Sequence, residues 1–124
     1  MMTWESITIE KLYDEILRSE EEMHGEILRL WELIQIFPEK WTQEEYGKEG
    51  GGFWVVAVCG RHIIWYNDIE DGFNISPYRR YGEFEEYWCN QDYLYRAVER
   101  MLSIIKFGGK LGGGFGPPQP IGEA

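Results

Sequence analysis

The sequence has few of the residues on which metal sites and nucleophilic catalysis usually depend. Its 124 residues include two cysteines, Cys59 and Cys89, and two histidines, His24 and His62. Structural zinc needs four ligands, and the spacing of these four residues is irregular. A Cys59–His62 nucleophile pair would also need an orienting acid and an oxyanion hole. We favour a packed thiol beside a half-exposed imidazole, and we predict no metal and no cofactor.

Long hydrophobic runs are also missing. No stretch of about 18 apolar residues occurs, so the sequence predicts no transmembrane helix. The N-terminal MMTWESITIEKL lacks the basic region and apolar run of a signal peptide. We therefore expect a cytoplasmic protein whose cysteines stay reduced.

Positive charge is scarce. Twelve Lys and Arg residues face 22 Asp and Glu residues, which gives a formal net charge of -10. Nucleic acid and anionic membranes attract proteins with positive fields, so neither is an expected partner. The negative field favours a basic protein partner, although solubility alone accounts for it equally well.

Aromatic residues, in contrast, are abundant at 16% of the chain, with six Trp and eight Tyr. Several lie in the stretch 53–66, FWVVAVCGRHIIWY, which predicts a β-hairpin. Gly60-Arg61 suits a two-residue type II′ turn, because glycine occupies its first position. That turn predicts three cross-strand pairs: Cys59 with His62, Val56 with Trp65, and Trp54 with Asn67.

Both predicted faces of this hairpin are apolar. A strand with one solvated face should alternate apolar and polar residues, and this one scarcely does. A chain of this length has little left with which to cover both faces, so we expect one face to meet a partner. The predicted faces are Trp54, Val56, Val58, Ile63 and Trp65 on one side, and Phe53, Val55, Ala57, Ile64 and Tyr66 on the other.

The flanking segments predict helices at both ends. Ser6–Met23 has an amphipathic stripe and a capping Thr8. The last helix follows a predicted cap at Asn90, buries Leu94, Ala97, Val98, Met101 and Ile105, and stops at Gly108-Gly109.

The segment 27–36 fits both a strand and a helix. We favour a strand, because Gly25 and Pro38 bracket a typical strand length. Four further segments are predicted as follows: a helical turn over Pro38–Tyr46, a loop over Gly47–Gly52, and strands over Phe73–Ile75 and Glu83–Trp88.

Together these elements predict an α+β fold. We expect an antiparallel meander of four or five strands, with the N- and C-terminal helices packed on one face. Residues 1–107 form one domain in this interpretation. Residues 108–124 are rich in Gly and Pro and are predicted to be a flexible tail.

Two local patterns in the sequence resemble ligand-binding sites. The acidic segment Asn67–Gly72 resembles a calcium loop in part, but Ile69 and Tyr78 stand where oxygen ligands are needed, so a turn is favoured. Tyr78-Arg79-Arg80-Tyr81 is a basic cluster that could grip a carboxylate or phosphate. The alternative is that its arginines neutralise neighbouring acids.

Carboxylates are numerous enough to suggest glycoside cleavage, which needs two of them at a set separation. Glu83, Glu85 and Glu86 could pair with Asp68, Glu70 or Asp71, but an acidic protein offers many such pairs by chance.

The leading functional hypothesis is a small, non-catalytic interaction module of the inhibitor or immunity type, or a self-associating one. It would bind another protein, in the most concrete version a basic one, or a second copy as a homodimer, through the uncovered hairpin face with Trp54 and Trp65. The alternative is a ligand-binding or hydrolytic domain. Its pocket would be lined by Trp54, Trp65 and Tyr78, with polar contacts from Asn67, Asp68, Arg79 and Arg80.

Overall fold

The computed structural model describes residues 5–44 and 51–108, which form three helices and one five-stranded sheet. The sheet is curled into a half-barrel with the order β4-β3-β2-β1-β5, and it is antiparallel except for the β1–β5 pair. The helices pack on it, which confirms the predicted α+β fold. The elements in chain order are α1 Ile9–Glu22, α2 Gly25–Ile34, β1 Gln35–Gln43, β2 Phe53–Cys59, β3 His62–Asn67, β4 Gly72–Pro77, β5 Glu83–Phe84 and α3 Leu94–Phe107.

The first helix is confirmed with its predicted cap, although it begins at Ile9, directly after that cap, and not at Ser6. Thr8 is the N-cap, and its hydroxyl accepts a hydrogen bond from the Lys11 backbone N–H at 3.3 Å. This bond satisfies one of the amides that the first turn leaves without a helical partner. Leu12 and Ile16 from the predicted stripe are buried against the sheet side.

The predicted strand over 27–36 is wrong, because Gly25–Ile34 is helical. Trp31 and Ile34 lie one turn apart on the buried side of α2. The Trp31 indole N–H also donates to the Glu20 carboxylate of α1 at 2.7 Å. Packing against the neighbouring helices therefore decides a segment whose apolar period fits both structures.

The predicted helical turn after Pro38 is also wrong as far as Gln43, because β1 runs through it. Pro38 lies where the β1–β2 register shifts between Gln35 and Glu39. A proline fits there because an irregular stretch does not need its missing N–H for the ladder. Residues 47–50 of the predicted loop lie outside the described residues.

The hairpin turn at Gly60-Arg61 is confirmed. Cys59 and His62 are paired across it, and Gly60 has φ +60°, as the first position of a type II′ turn requires.

The other two predicted hairpin pairs are wrong by one residue. Val55 lies opposite Trp65 and Trp54 lies opposite Tyr66, because the register shifts between Val55 and Ala57. An extra residue in one strand moves every side chain beyond it in that strand to the opposite face of the sheet. Trp54 and Trp65 therefore lie on opposite faces of the sheet, not together as predicted.

One face of the sheet packs against all three helices. We call this cluster the helix-side core, and most of its members are aliphatic. Its buried residues are Leu12, Ile16, Met23, Trp31, Ile34, Val56, Ala57, Ile64, Tyr66, Phe73, Ile75, Leu94, Ala97, Val98 and Met101.

The other face is covered by the segment 85–92, which we call the strap. The predicted strand Glu83–Trp88 is strand only to Phe84, and the strap that follows is irregular. The expectation of an uncovered hairpin face is wrong, since Phe53, Val55, Ile63 and Trp65 are each 0% exposed. The buried members of this strap-side core are Trp41, Phe53, Val55, Ile63, Trp65, Phe84 and Tyr87.

The sheet holds the strap by hydrogen bonds to its backbone, five that involve side chains of the sheet and one from the backbone N–H of Phe73, because an irregular segment forms no regular ladder of its own. Gly72 allows the close approach, since a Cβ there would overlap the backbone of Asn90 and Gln91. The bonds are Gln43 Nε2 to Glu85 O (2.7 Å), Ser76 Oγ to Glu86 O (2.8 Å), Asn67 Nδ2 to Trp88 O (3.0 Å), Asn74 Nδ2 to Asn90 O (3.0 Å), Asn90 N to Asn74 Oδ1 (2.9 Å) and Phe73 N to Asp92 O (2.9 Å).

The last helix is confirmed, but the predicted cap is wrong. Asn90 belongs to the strap and Tyr93 is the N-cap. The predicted burial of Ile105 is also wrong. This residue is 55% exposed, because it lies beyond the part of the helix that packs on the sheet. Gly108, with φ +75°, ends the helix as predicted. Residues 109–124 lie outside the described residues, so the flexible tail over 108–124 and the single domain over 1–107 stay predictions.

Candidate functional site

A cleft of about 590 Å³ opens at one margin of the half-barrel. Three stretches line it: the end of β1, the residues that follow β4, and the residues from β5 into the strap. The lining residues are Thr42, Gln43, Glu44, Pro77, Tyr78, Arg79, Arg80, Glu83, Phe84, Glu85 and Glu86.

The loop 78–82 positions the cleft because it connects the two edges of the sheet. It leaves β4 at one edge and reaches β5 at the other. Tyr78 anchors its start, since its backbone N–H donates to Arg61 O and its hydroxyl donates to Gly60 O, both at 2.9 Å. The Tyr78 ring also meets the buried Trp41 ring edge-on at 5.0 Å. The two arginines that follow are thereby held at the cleft.

The charges around the cleft are mixed and mostly negative. Arg79 Nη2 lies 4.0 Å from Glu85 Oε2, and the side chains are 85% and 63% exposed. Such an open pair is weak, because water screens it. The Arg80 guanidinium is exposed and makes no ion pair or hydrogen bond within residues 5–44 and 51–108. Among the described residues, the lining of the cleft thus contains these two arginines and four glutamates, Glu44, Glu83, Glu85 and Glu86.

The base of the cleft is buried and part of it is polar. Gln43 is fully buried, although its side chain is an amide, and it donates to Glu85 O at 2.7 Å. Phe84 beside it belongs to the strap-side core. The cleft therefore rests directly on that core.

Three of the predicted site residues, Tyr78, Arg79 and Arg80, come together in the cleft. The two tryptophans do not. Trp54 is half-buried on the helix side, where its indole N–H donates to Ile7 O at 3.0 Å. Trp65 is buried under the strap, and its indole N–H donates to Ser76 Oγ at 2.9 Å. Neither lines the cleft.

Asn67 and Asp68 also lie away from the cleft, and both make contacts that hold the fold. Asn67 Oδ1 accepts from the backbone N–H groups of Ile69 and Glu70 at 3.0 and 3.1 Å, as an Asx turn requires. Asp68 Oδ2 accepts from Ile7 N at 2.6 Å and so fixes the segment before α1. The interpretation of 67–72 as a turn is confirmed.

Sequence reasoning missed three neighbouring lining residues, Thr42 and Gln43 at the end of β1 and Glu44 directly after it. They reach the cleft because β1 pairs in parallel with β5, with Gln43 opposite Phe84. Alternation with the buried Trp41 was the available signal, and the predicted helical turn obscured it.

The chemistry of the two cysteines does not favour a nucleophile. Burial raises the pKa of the Cys59 thiol, and burial also raises the pKa of Cys89. Burial lowers the pKa of His62, while the nearby Glu86 charge opposes that effect. A thiol with a raised pKa is protonated at neutral pH and reacts slowly. Among the described residues, no group of three or more His, Cys, Asp or Glu is placed to hold a metal ion.

Comparison with known proteins supplies no relative. No family model matches the chain, and neither the curated proteins nor the solved structures include a significant match. None of the helices in the described part of the chain has the length and apolar character needed to cross a membrane.

Proposed function

We propose that the protein is a non-catalytic interaction module whose cleft receives a basic segment of a partner protein. The supporting observation is the excess of carboxylates among the described lining residues, four against two guanidiniums, around a cavity of about 590 Å³. The formal charge of -10 acts in the same direction. Opposite charge steers a basic partner toward the cleft and makes the association sensitive to salt.

The cleft replaces the hairpin face as the proposed contact surface. The hairpin face with Trp65 is buried under the strap, so a partner reaches it only if the strap leaves. The cleft residues, in contrast, are open to solvent at Arg79, Arg80 and Glu83. An interaction module with a basic partner is therefore proposed at a different place from the one predicted.

The two arginines give the proposed site a second requirement. A guanidinium only donates hydrogen bonds, so a bound segment must offer acceptors beside its own cations. Backbone carbonyl groups of an extended peptide meet this need. The proposed partner segment is thus extended, with basic side chains directed at the carboxylates and its backbone near Arg79 and Arg80.

A tetra-arginine peptide tests this proposal. We expect the double variant Glu44→Gln and Glu83→Gln to bind the peptide about tenfold more weakly, since each exposed charge pair contributes up to about 1 kcal/mol. Isothermal titration calorimetry measures the affinity. The matched control is the double variant Glu21→Gln and Glu22→Gln, which removes the same charge from exposed positions at the end of α1.

The control decides between a site and a general field. An equal loss of affinity in both double variants would mean that net charge alone attracts the peptide, and the cleft would then not be the site. The homodimer stays a prediction. Light scattering on the same protein samples measures the molar mass and so tests it.

A second candidate function is the binding of a small anionic ligand. It is favoured by Arg80, whose guanidinium lines the cleft without an ion pair among the described residues. Titration with inorganic phosphate distinguishes the two candidate functions, because the same substitutions should change the two affinities in opposite directions. Removing carboxylates at Glu44 and Glu83 would strengthen phosphate binding, whereas it would weaken binding of tetra-arginine.

A further inference from the structure

Two buried polar side chains lie beneath the strap end of the cleft. We infer that Gln43 and Ser76 are positioning residues, which fix the cleft wall at Glu85 and Glu86 and so set its affinity for a basic segment. This inference rests on the proposed function, and it adds which residues outside the contact surface shape the site.

Gln43 supports the first half of the wall. Its side chain is fully buried at the end of β1, and Nε2 donates to the Glu85 carbonyl at 2.7 Å across 42 residues of sequence. Burying an amide costs free energy unless it is hydrogen-bonded. The bond to Glu85 therefore holds this peptide group against a strand that is itself paired with β2 and β5.

Ser76 supports the second half from another strand. It is fully buried in β4, where its hydroxyl donates to the Glu86 carbonyl at 2.8 Å. The same oxygen accepts the Trp65 indole N–H at 2.9 Å. The strap-side core therefore orients the Ser76 hydroxyl, and this hydroxyl in turn fixes the Glu86 carbonyl in the cleft wall.

The two bonds together determine where the wall side chains point. Glu85 and Glu86 are consecutive, and each carbonyl is held by a different strand. A planar peptide leaves two free rotations per residue, so fixing successive carbonyls restricts the rotations between them. Glu85 and Glu86 are exposed residues of the cleft lining, and Glu86 Oε1 also accepts the Trp88 indole N–H at 3.2 Å. The restriction fixes the backbone from which both side chains extend.

Variants of Gln43 and Ser76, which we call the two anchors of the wall, test the inference against a control variant. Gln43→Leu and Ser76→Ala each remove one bond to the wall, and we expect each to weaken tetra-arginine binding by about tenfold or somewhat less. Asn74→Ala removes two bonds of this kind, to Asn90 O and from Asn90 N, at a point farther along the strap and outside the cleft lining, so it is the more severe perturbation of the strap. We expect this control to lose stability and to keep its affinity within about twofold. Chemical denaturation, run beside the titration, shows that each variant is folded.

A second readout needs no peptide. The Glu86 charge raises the pKa of His62 against the effect of burial, so NMR titration of His62 reports where Glu86 lies. Release of the wall in Ser76→Ala should lower the pKa of His62 further, while Asn74→Ala should leave it as in the wild type.

The outcomes separate this inference from the proposed function. Equal effects of all three variants, in binding or in the His62 titration, would mean general loosening of the strap and would overturn the inference. Wild-type binding by both anchor variants would also overturn it, while loss of binding in Glu44→Gln with Glu83→Gln would still support the function. A wild-type protein that does not bind tetra-arginine refutes the function and with it the effect on affinity, whereas the His62 titration still tests whether Ser76 holds Glu86 in place.

Discussion

The two faces of the sheet are covered in different ways. The helix-side core is closed by three amphipathic helices, whose apolar stripes interlock with strand residues. The strap-side core is closed by irregular chain, which contributes Tyr87 and is held by amides and a hydroxyl from β1, β3 and β4. Helices satisfy their own backbone groups, whereas a strap must find partners in the sheet beneath it.

The difference explains why polar residues lie in this interior. Gln43, Asn67, Asn74 and Ser76 are all fully buried, and each bonds to a carbonyl of the strap. On the helix side, only Ser19 among the polar residues of the three helices is buried. A short segment can therefore shelter an aromatic face when the sheet provides hydrogen-bond donors at matched positions.

The largest test of the comparison is removal of an aromatic ring beneath the strap. Trp65→Ala should lower the free energy of unfolding by about 3 to 5 kcal/mol, because the ring is fully buried and its N–H is hydrogen-bonded. Leu12→Ala in the helix-side core should cost about 2 to 5 kcal/mol. Urea denaturation followed by circular dichroism measures both. A loss below about 1 kcal/mol for Trp65→Ala would mean that the strap does not form a true core.

Gly72→Ala addresses the strap itself. The new Cβ would overlap the backbone of Asn90 and Gln91, so the strap must shift, at a cost of about 1 to 3 kcal/mol. Amide hydrogen exchange should become faster at Asn90 and stay slow at Leu12 in α1. Equal acceleration at both places would show that the strap and the helix side open together.

A smaller effect is expected from pH, and it should come from both cores. Burial is the main cause that raises the pKa of Tyr66 on the helix side and of Tyr87 in the strap to about 12, from an ordinary value of 10.0. The unfolded chain loses these protons first, so stability is complete below pH 10 and falls as the pH rises toward about 12. Tyr66→Phe and Tyr87→Phe should each reduce this fall, measured by urea denaturation at several alkaline pH values. A double variant as sensitive to alkali as the wild type would contradict the assignment.

The smallest effect is expected at the cleft. Arg79→Ala removes an ion pair that is open to water, and stability should change by no more than about 0.5 kcal/mol. Thermal unfolding measures it. A larger loss would place Arg79 in the structural framework and not at a free binding surface.

Local pattern predicted those elements whose determinants lie within a few residues. The hairpin turn at Gly60, the Thr8 cap and the buried stripe of α3 all have this property. The determinants of α2 are not local, because its apolar residues fit two periods and contacts with other helices decide between them. The strap could not be predicted either, since its bonds join residues far apart in sequence, such as Gln43 and Glu85 at 42 positions.

The residues of the candidate site also differ in whether local sequence alone could identify them. Tyr78, Arg79 and Arg80 are adjacent in sequence, and their aromatic and basic character marked them without any knowledge of the fold. Gln43 and Glu44 enter the cleft only through the pairing of β1 with β5. The bulge between Val55 and Ala57 separated Trp54 from Trp65, and no residue type in the hairpin indicates it.

The place of β5 at the far edge of the sheet also sets an order of assembly during translation. Strands β1 to β4 leave the ribosome first and pair as successive neighbours, while residues 83–92 must emerge before the outer edge of β1 is completed. Until then the nascent chain carries Phe53, Ile63 and Trp65 without their cover. Exposed apolar surfaces of this kind are prone to aggregation, so the nascent chain should be most vulnerable just before residues 83–92 are synthesised.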